Sequence, residues 1–457
     1  MNRHAPLLLA LALALSAGAA SSTALFNVRD YGAAGDAKAL DTAAINRAIE
    51  ACSAAGGGTV YLPPGNYLTG TVLLKSHVTL DVDAGATLSG SDNPADYPLL
   101  VDPWGVEGQV LSPLIYAEGA RNITLTGRGT IDGRGQPWWK RQWLAHPKRG
   151  MPGAVTDEEK AEAKKVEHGR PRAVRFVNCK DVVIEQLNFT NSPFWTISPL
   201  FCEFVRVDGV TIQNPVPSPN TDGINPESCR NVQILNCRID VGDDCVTLKS
   251  GMNEAGRRVG RPNENITIAN CVMMRGHGGV AIGSEMSGGV RNVTVANCVF
   301  QGTDIGLRVK SQRGRGGVVE NFTASNITMD GVPHPFVITT FYQGNDKPGD
   351  IFAVNEGTPR FHDFLFNNIT ARGALDAGSV TGLRELAVEA IVFDNIHIQA
   401  KKGFSCVNAK NISFRDVDIE PAEGPCLTLK NCQAIDSARL TSQTALTPLV
   451  VTNDAQN

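Results

Sequence analysis

One short alternation recurs along this chain: a turn residue, most often asparagine, followed by apolar, polar and apolar positions. It is clearest at Asn122-Ile123-Thr124-Leu125, Asn231-Val232-Gln233-Ile234, Asn265-Ile266-Thr267-Ile268, Asn292-Val293-Thr294-Val295 and Asn411-Ile412-Ser413-Phe414. Looser copies begin at Asp181, Phe204, Asn321, Asp363 and Ala390. Apolar residues at every second position mark a strand with one buried face. A strand this short cannot bury that face alone, whereas successive copies stacked as coils pair every backbone edge and build one continuous core. The copies at 231, 265 and 292 are spaced by 34 (265 − 231) and 27 (292 − 265) residues, within the range of stacked units but variable, so the loops differ in length. The pattern predicts an all-β, single-domain right-handed parallel β-helix, a solenoid, over residues 25–457. A propeller would want about 40 residues per repeat and a recurring aromatic signature, and neither is evident in the sequence.

Several copies also match the acceptor pattern for N-glycosylation, including Asn122, Asn265 and Asn292. An asparagine at the turn before each strand bonds neighbouring backbone and tolerates a left-handed conformation, so a ladder of asparagines is the expected cause. Near the start, Asp41–Ala55 carries Ile45, Ala48, Ile49 and Cys52 on one helical face and stops at Gly56-Gly57-Gly58. That predicts an amphipathic helix capping the open first coil, whose bare edge would otherwise invite association. Residues 136–175 break the repeat, with the loop insertion placed at 136–170. Trp138, Trp139 and Trp143 cluster there, and ten Lys/Arg face five acidic residues. The excursion reads either as a solvated loop or as the wall of a cleft for an acidic ligand, and Asp157–Glu167 as a short charged helix within it.

The N-terminus adds an address. Arg3 and His4 precede an apolar run, Ala5–Leu15, and small residues with Ala17-x-Ala19, which reads as a signal peptide over 1–20. No later stretch approaches 18 continuous apolar residues, so a secreted or periplasmic protein without a membrane span is expected. Only 6% of residues are aromatic against 42% hydrophobic, which points to a core of small aliphatic side chains. The net charge of −4 gives no pull toward nucleic acid. The eleven cysteines are odd in number, and Cys237, Cys271 and Cys298 share one repeated context, so stacked buried thiols are expected there. Pairing elsewhere, for instance by Cys229 or Cys245, stays open, and no ligand spacing argues for zinc. A monomer is expected.

Four polar motifs interrupt the apolar strands between 219 and 310: Asn220-Thr221-Asp222-Gly223, Gly242-Asp243-Asp244-Cys245, Gly276-His277-Gly278-Gly279 and Arg308-Val309-Lys310. Singly, each reads as a turn. Together they change the picture, because Asp222 and Asp243 are 21 residues apart (243 − 222), about one coil, and stacked coils lie roughly 4.8 Å apart. Three carboxylates would then converge on one outer face. Crowded like charges raise one another's pKa, so a protonated acid and an ionised base coexist, which glycosidic hydrolysis requires. His277 supplies a proton-network partner, and Arg308 and Lys310 a clamp for a sugar carboxylate.

These motifs, in this order, resemble the polygalacturonase family of glycoside hydrolases, family 28. The likeness extends to Phe26–Tyr31, Gly57–Gly65, Gly129-Thr130-Ile131-Asp132-Gly133 and Asn191-Ser192-Pro193-Phe194-Trp195. It implies hydrolysis of α-1,4-galacturonosidic bonds with inversion and with no metal or other cofactor, on a pectic polysaccharide or oligogalacturonide. By the same resemblance Asp243 is the general acid, Asp222 and Asp244 position and deprotonate water, and His277 tunes the acid. Asn220, Arg308 and Lys310 would bind substrate, and Tyr342 would line a subsite as an aromatic platform. Gly283–Gly289 and the 136–175 excursion look like the branch in which exo-action is common. A rhamnogalacturonan or substituted-pectin hydrolase is the near alternative. A pectate lyase would use the aspartates for calcium but leaves Gly-His-Gly and Arg-x-Lys unexplained. A non-catalytic β-helix carbohydrate binder shares the architecture, since fold does not dictate function.

Overall fold

The computed structural model describes residues 24–147, 151–344, 346–444 and 449–452. The segment read as a signal peptide lies outside them. The remainder is a parallel β-helix with three parallel sheets running its length. The repeated copies form one sheet in a single register: Ile123, Val182, Val205, Val232, Ile266, Val293, Phe322, Phe364, Ile391 and Ile412 stack coil upon coil, all buried. Every copy picked out by the alternation therefore starts at an equivalent place. A second sheet runs from Asp36–Leu40 through Arg238–Asp240 to Val272–Met274, and a third from Val72–Leu73 through Val246–Leu248 and Val280–Gly283 to His334–Thr339.

The residue preceding each apolar column position has a positive φ, between 51° and 60° from Asn122 to Asn411, which is the conformation asparagine tolerates best. The side chains join across coils: Asn265 Nδ2 donates to Asn231 Oδ1 at 3.0 Å, Asn292 to Asn265 at 2.9 Å and Asn321 to Asn292 at 3.2 Å. A second ladder continues from Asn236 through Asn270, Asn297, Asn326 and Asn368 to Asn395. Beside the first ladder runs a column of alternating charge, Lys180, Glu203, Arg230, Glu264, Arg291 and Glu320, in which Arg230 meets Glu203 at 2.8 Å and Arg291 meets Glu264 at 2.6 Å.

Helix α1 (Thr42–Ala54) covers the first coil and buries Ala44, Ile45, Ala48, Ile49 and Cys52. Cys237, Cys271 and Cys298 stack as buried thiols, and Cys229 and Cys245 are likewise free and buried. The excursion after 135 holds two helices, α2 (Gln136–Ala145) and α3 (Asp157–Lys164), and α2 is anchored rather than solvated. Trp138 is fully buried and Trp139 Nε1 donates to Ser192 O at 3.0 Å, so the indoles that looked like loop decoration fasten the excursion to the coils. The core is mostly aliphatic, as expected, with many of its rings gathered toward one end. Phe322, Phe336, Phe364, Phe366, Phe393, Phe404 and Phe414 fill the C-terminal coils, with Phe393 and Phe414 stacked at 5.2 Å. Few aromatics overall thus conceals their concentration at one end. Among the described residues no helix is long and apolar enough to cross a membrane.

The ladder makes a prediction about stability. Asn270 has φ +59° and bonds both neighbouring asparagines. Asn270→Ala should cost about 1–2 kcal/mol in urea unfolding, from left-handed strain plus lost bonds, and Asn270→Gly clearly less. Equal losses would show that asparagine is not there for its backbone tolerance.

Candidate active site

The third sheet presents the polar motifs because its strands alternate. Val246 and Leu248 enter the core while Thr247 and Lys249 turn away from it, and Leu307 and Val309 do the same for Arg308 and Lys310. Register then decides which polar groups meet. Ile224 pairs with Val246, a step of 22 residues (246 − 224), so Asp222 lies level with Asp244 rather than with Asp243. Asp243 occupies the bend beside them. Each of the three carboxylates offers an oxygen within 4.8 Å of the others, so the convergence inferred from coil length is present with a different pairing.

Each aspartate has its own surroundings. Asp222 is 3% exposed, and its Oδ2 accepts from Asn225 Nδ2 at 3.0 Å and Thr247 Oγ1 at 3.4 Å, with Lys249 Nζ at 3.3 Å. Asp244 is held by Lys310 Nζ at 2.6 Å and Arg308 at 3.3 Å. Asp243 is less covered: Asn220 Nδ2 lies 3.5 Å from its Oδ2, while its Oδ1 accepts the Asp244 backbone N–H at 2.9 Å. The glycines of Gly276-His277-Gly278 follow from this crowding. Gly276 has φ +90°, and a Cβ there would lie 2.5 Å from Asp243 O; one on Gly278 would lie 2.8 Å from Asp244 Oδ1.

These surroundings split the carboxyls. Burial pushes Asp222 up to about 7 against the pull of Lys249, with Asp243 and Asp244 adding to the rise. Burial and then the Asp244 charge raise Asp243, and His277 opposes them. Asp244 lies below its ordinary value, because Lys310 and then Arg308 outweigh its burial. One carboxyl is thus drawn toward the anion beside two that retain a proton more readily.

The site opens into a cleft of about 780 Å³. Coils stack in chain order, so Gln142, His146 and His168 of the excursion stand at one end of the cleft and Tyr342 at the other. The excursion is therefore a wall. His277 is not among the residues that line the cleft; it is half exposed, with Nδ1 2.7 Å from Asp304 Oδ2 and its backbone N–H donating to Asp243 O at 3.0 Å. Tyr342 lies beneath the cations rather than apart from them: the Lys310 ammonium and Arg308 guanidinium are 5.0 and 5.4 Å from its ring centroid. Lys310, engaged with Asp244, lines the cleft, whereas Arg308, bonded to the same aspartate, is not among the lining residues.

Sequence reading missed several members. Lys249 contacts both Asp222 and Glu285, and its outward position on Val246-Thr247-Leu248-Lys249 matches that of Lys310 on the later coil, a signal present in the alternation. Arg170 donates to Pro193 O, Pro219 O and Asn220 Oδ1. Nothing in its sequence context announces that the excursion returns beneath Asn220. Phe194 and Trp195, stacked at 4.9 Å, take Arg172 on their faces. Three carboxylates this close are a plausible cradle for a divalent cation by geometry alone. Their chemistry fits one poorly, because Lys249 and Lys310 already supply positive charge to Asp222 and Asp244.

Comparison with known proteins places this geometry among relatives. The profile of the family described as "Glycosyl hydrolases family 28" matches residues 52–420, which include all four motifs. A "Probable polygalacturonase" of Vitis vinifera is 30% identical over 420 residues, 88% of this chain and 79% of the relative. An "Endo-polygalacturonase" of Pectobacterium carotovorum subsp. carotovorum is 31% identical over 350 residues, 72% of this chain and 77% of the relative. The crystal structure of a hyperthermoactive exopolygalacturonase from Thermotoga maritima matches with a TM-score of 0.73 at 30% identity, covering 94% of this chain and 92% of that one.

Burying this many charges makes each counter-ion costly to remove. Lys249→Met leaves Asp222 and Glu285 without their shared cation and should lower stability by about 3–5 kcal/mol near neutral pH. The loss should shrink as pH falls, since both carboxyls then become neutral. Urea unfolding at several pH values reads both effects, and a pH-independent loss would mean that packing, not charge, is responsible.

Proposed function

Because the chain belongs to glycosyl hydrolase family 28 and is a glycosidase, we propose that it hydrolyses α-1,4-galacturonosidic bonds of polygalacturonate, from a chain end and with inversion. The observation that carries the chemistry is the split among three carboxyls that share one patch. Asp243, raised and partly open to the cleft, gives its proton to the glycosidic oxygen as the bond to the sugar breaks. Asp244, held as an anion by Lys310 and Arg308, and Asp222 hold the attacking water and take its proton. Water then adds to the anomeric carbon, and the leaving sugar departs as the alcohol. Lys310 and Arg308 meet the galacturonate carboxylate, Asn220 keeps Asp243 aimed, and Tyr342 backs the sugar bound beside the cations.

Exo-action is favoured by the excursion that walls one end of the cleft and by the similarity to the Thermotoga maritima exopolygalacturonase, although the Pectobacterium carotovorum relative is named for endo-action. Inversion is carried by family membership and not by spacing. Carboxyl oxygens within 4.8 Å are closer than the roughly 6.5–9.5 Å usual for inverting enzymes, so the anomer of the first product is a direct test.

On polygalacturonate, monomer or another short product released from the first turnover, with inverted configuration by proton NMR, is the expected result. A ladder of oligomers would overturn exo-action, retention would overturn the water assignment, and no product on polygalacturonate would favour a rhamnogalacturonan or substituted pectin. Asp243→Asn should lower kcat by at least about 100-fold without changing folding or sugar binding; unchanged turnover would remove Asp243 from the acid role.

His277 provides a second test through pH. Its positive charge lowers the Asp243 pKa, so His277→Asn raises it, and the alkaline limb of the rate profile, where the acid loses its proton, should move to higher pH. A fixed limb would show that His277 does not act through Asp243.

A further inference from the structure

We infer that Lys249 is a positioning residue for the reaction, its ammonium dividing between Asp222 and Glu285 and so setting the charge and orientation of Asp222 toward the attacking water. The inference rests on the assignment of Asp222 to that water made above. Lys249 Nζ lies 3.3 Å from Asp222 Oδ2 and 3.6 Å from Glu285 Oε2, and 3.5 Å from the centroid of the Trp195 ring. Two carboxylates and an aromatic face thus surround one ammonium whose side chain is 5% exposed. That burial commits the ammonium to the protein groups around it.

The same Asp222 Oδ2 accepts from Asn225 and Thr247, so ammonium, amide and hydroxyl converge on one oxygen and leave Oδ1 for the water. Asp243, Asp244, Lys310 and Arg170 also face Asp222, and Glu285, Glu227 and Asp244 face Lys249. Among these, Glu227 is bound by Arg175 and Asp244 by Lys310 and Arg308. Glu285, on the cleft wall and 32% exposed, remains as the competitor of Asp222 for the ammonium. Burial lifts Asp222 to about 7, and Lys249 is the main influence holding it down.

The test is the acid limb of the pH–rate profile, where the water-activating carboxylate becomes protonated. Lys249→Met should move that limb up by about 1–3 pH units with KM little changed, and Lys249→Arg should restore most of its position. Glu285→Gln frees the ammonium for Asp222 and should move the limb the opposite way, by less. Opposed shifts support the inference. A limb that stays in place in a folded Lys249→Met enzyme, or an Arg variant no better than Met, would overturn it; should the Met variant not fold, an unmoved or upward-moved limb in Glu285→Gln overturns it alone. Asp222→Asn separates the two levels, because full turnover in that variant would refute the role of Asp222 itself, whereas an inactive Asp222→Asn with unmoved limbs elsewhere refutes only the part played by Lys249.

Discussion

The hydrogen-bonded step between coils is the constraint on which the molecule depends. Parallel strands fix neighbouring residues at roughly 4.8 Å, so any side chain gains its neighbours from its place in the register and not from its distance along the chain. Asp222, Asp244 and the residues of Arg308–Lys310 come together because Ile224, Val246, Val280 and Leu307 lie in one column. A one-residue slip in any of these strands would turn Lys249 or Lys310 inward and an apolar residue outward. The left-handed asparagine turns hold that register from outside the core, at positions where other side chains would carry strain.

On this scaffold the site exchanges solvation for fixed charge. Taking three carboxylates out of water is unfavourable, and two lysines and an arginine offset part of that cost without cancelling it. What remains is useful, since it separates one anion from two carboxyls that hold protons at higher pH. Lys310 serves Asp244, and Lys249 is shared by Asp222 and Glu285, each placed by the alternation of its own strand.

How far the sequence led varied with the range of the interactions. The coils were legible because their alternation is local, and all ten copies fall in one column of the first sheet. The convergence of the aspartates followed from coil length, yet the pairing of Asp222 with Asp244 did not, since the bend at Gly242-Asp243 adds a residue that spacing alone cannot place. The alternation marks Lys249 as outward-facing, but one cation in an apolar strand resembles a solvated edge, and its partner Asp222 follows only from the register between coils. The helix Gln136–Ala145 and the return of Arg170 under Asn220 depend on contacts between distant segments, such as Trp139 with Ser192, and no local pattern encodes them.

The charge column from Lys180 to Glu320 has a consequence for assembly. Each ion pair is partly exposed and contributes little to stability by itself. Its alternation nevertheless acts as a parity check on a repetitive chain. A skipped coil would set like charge against like at that junction, whereas skipping two restores the signs but mismatches loops of unequal length. A solenoid built from near-identical steps is exposed to counting errors as it winds, and a row of alternating sign makes one class of miscount unfavourable.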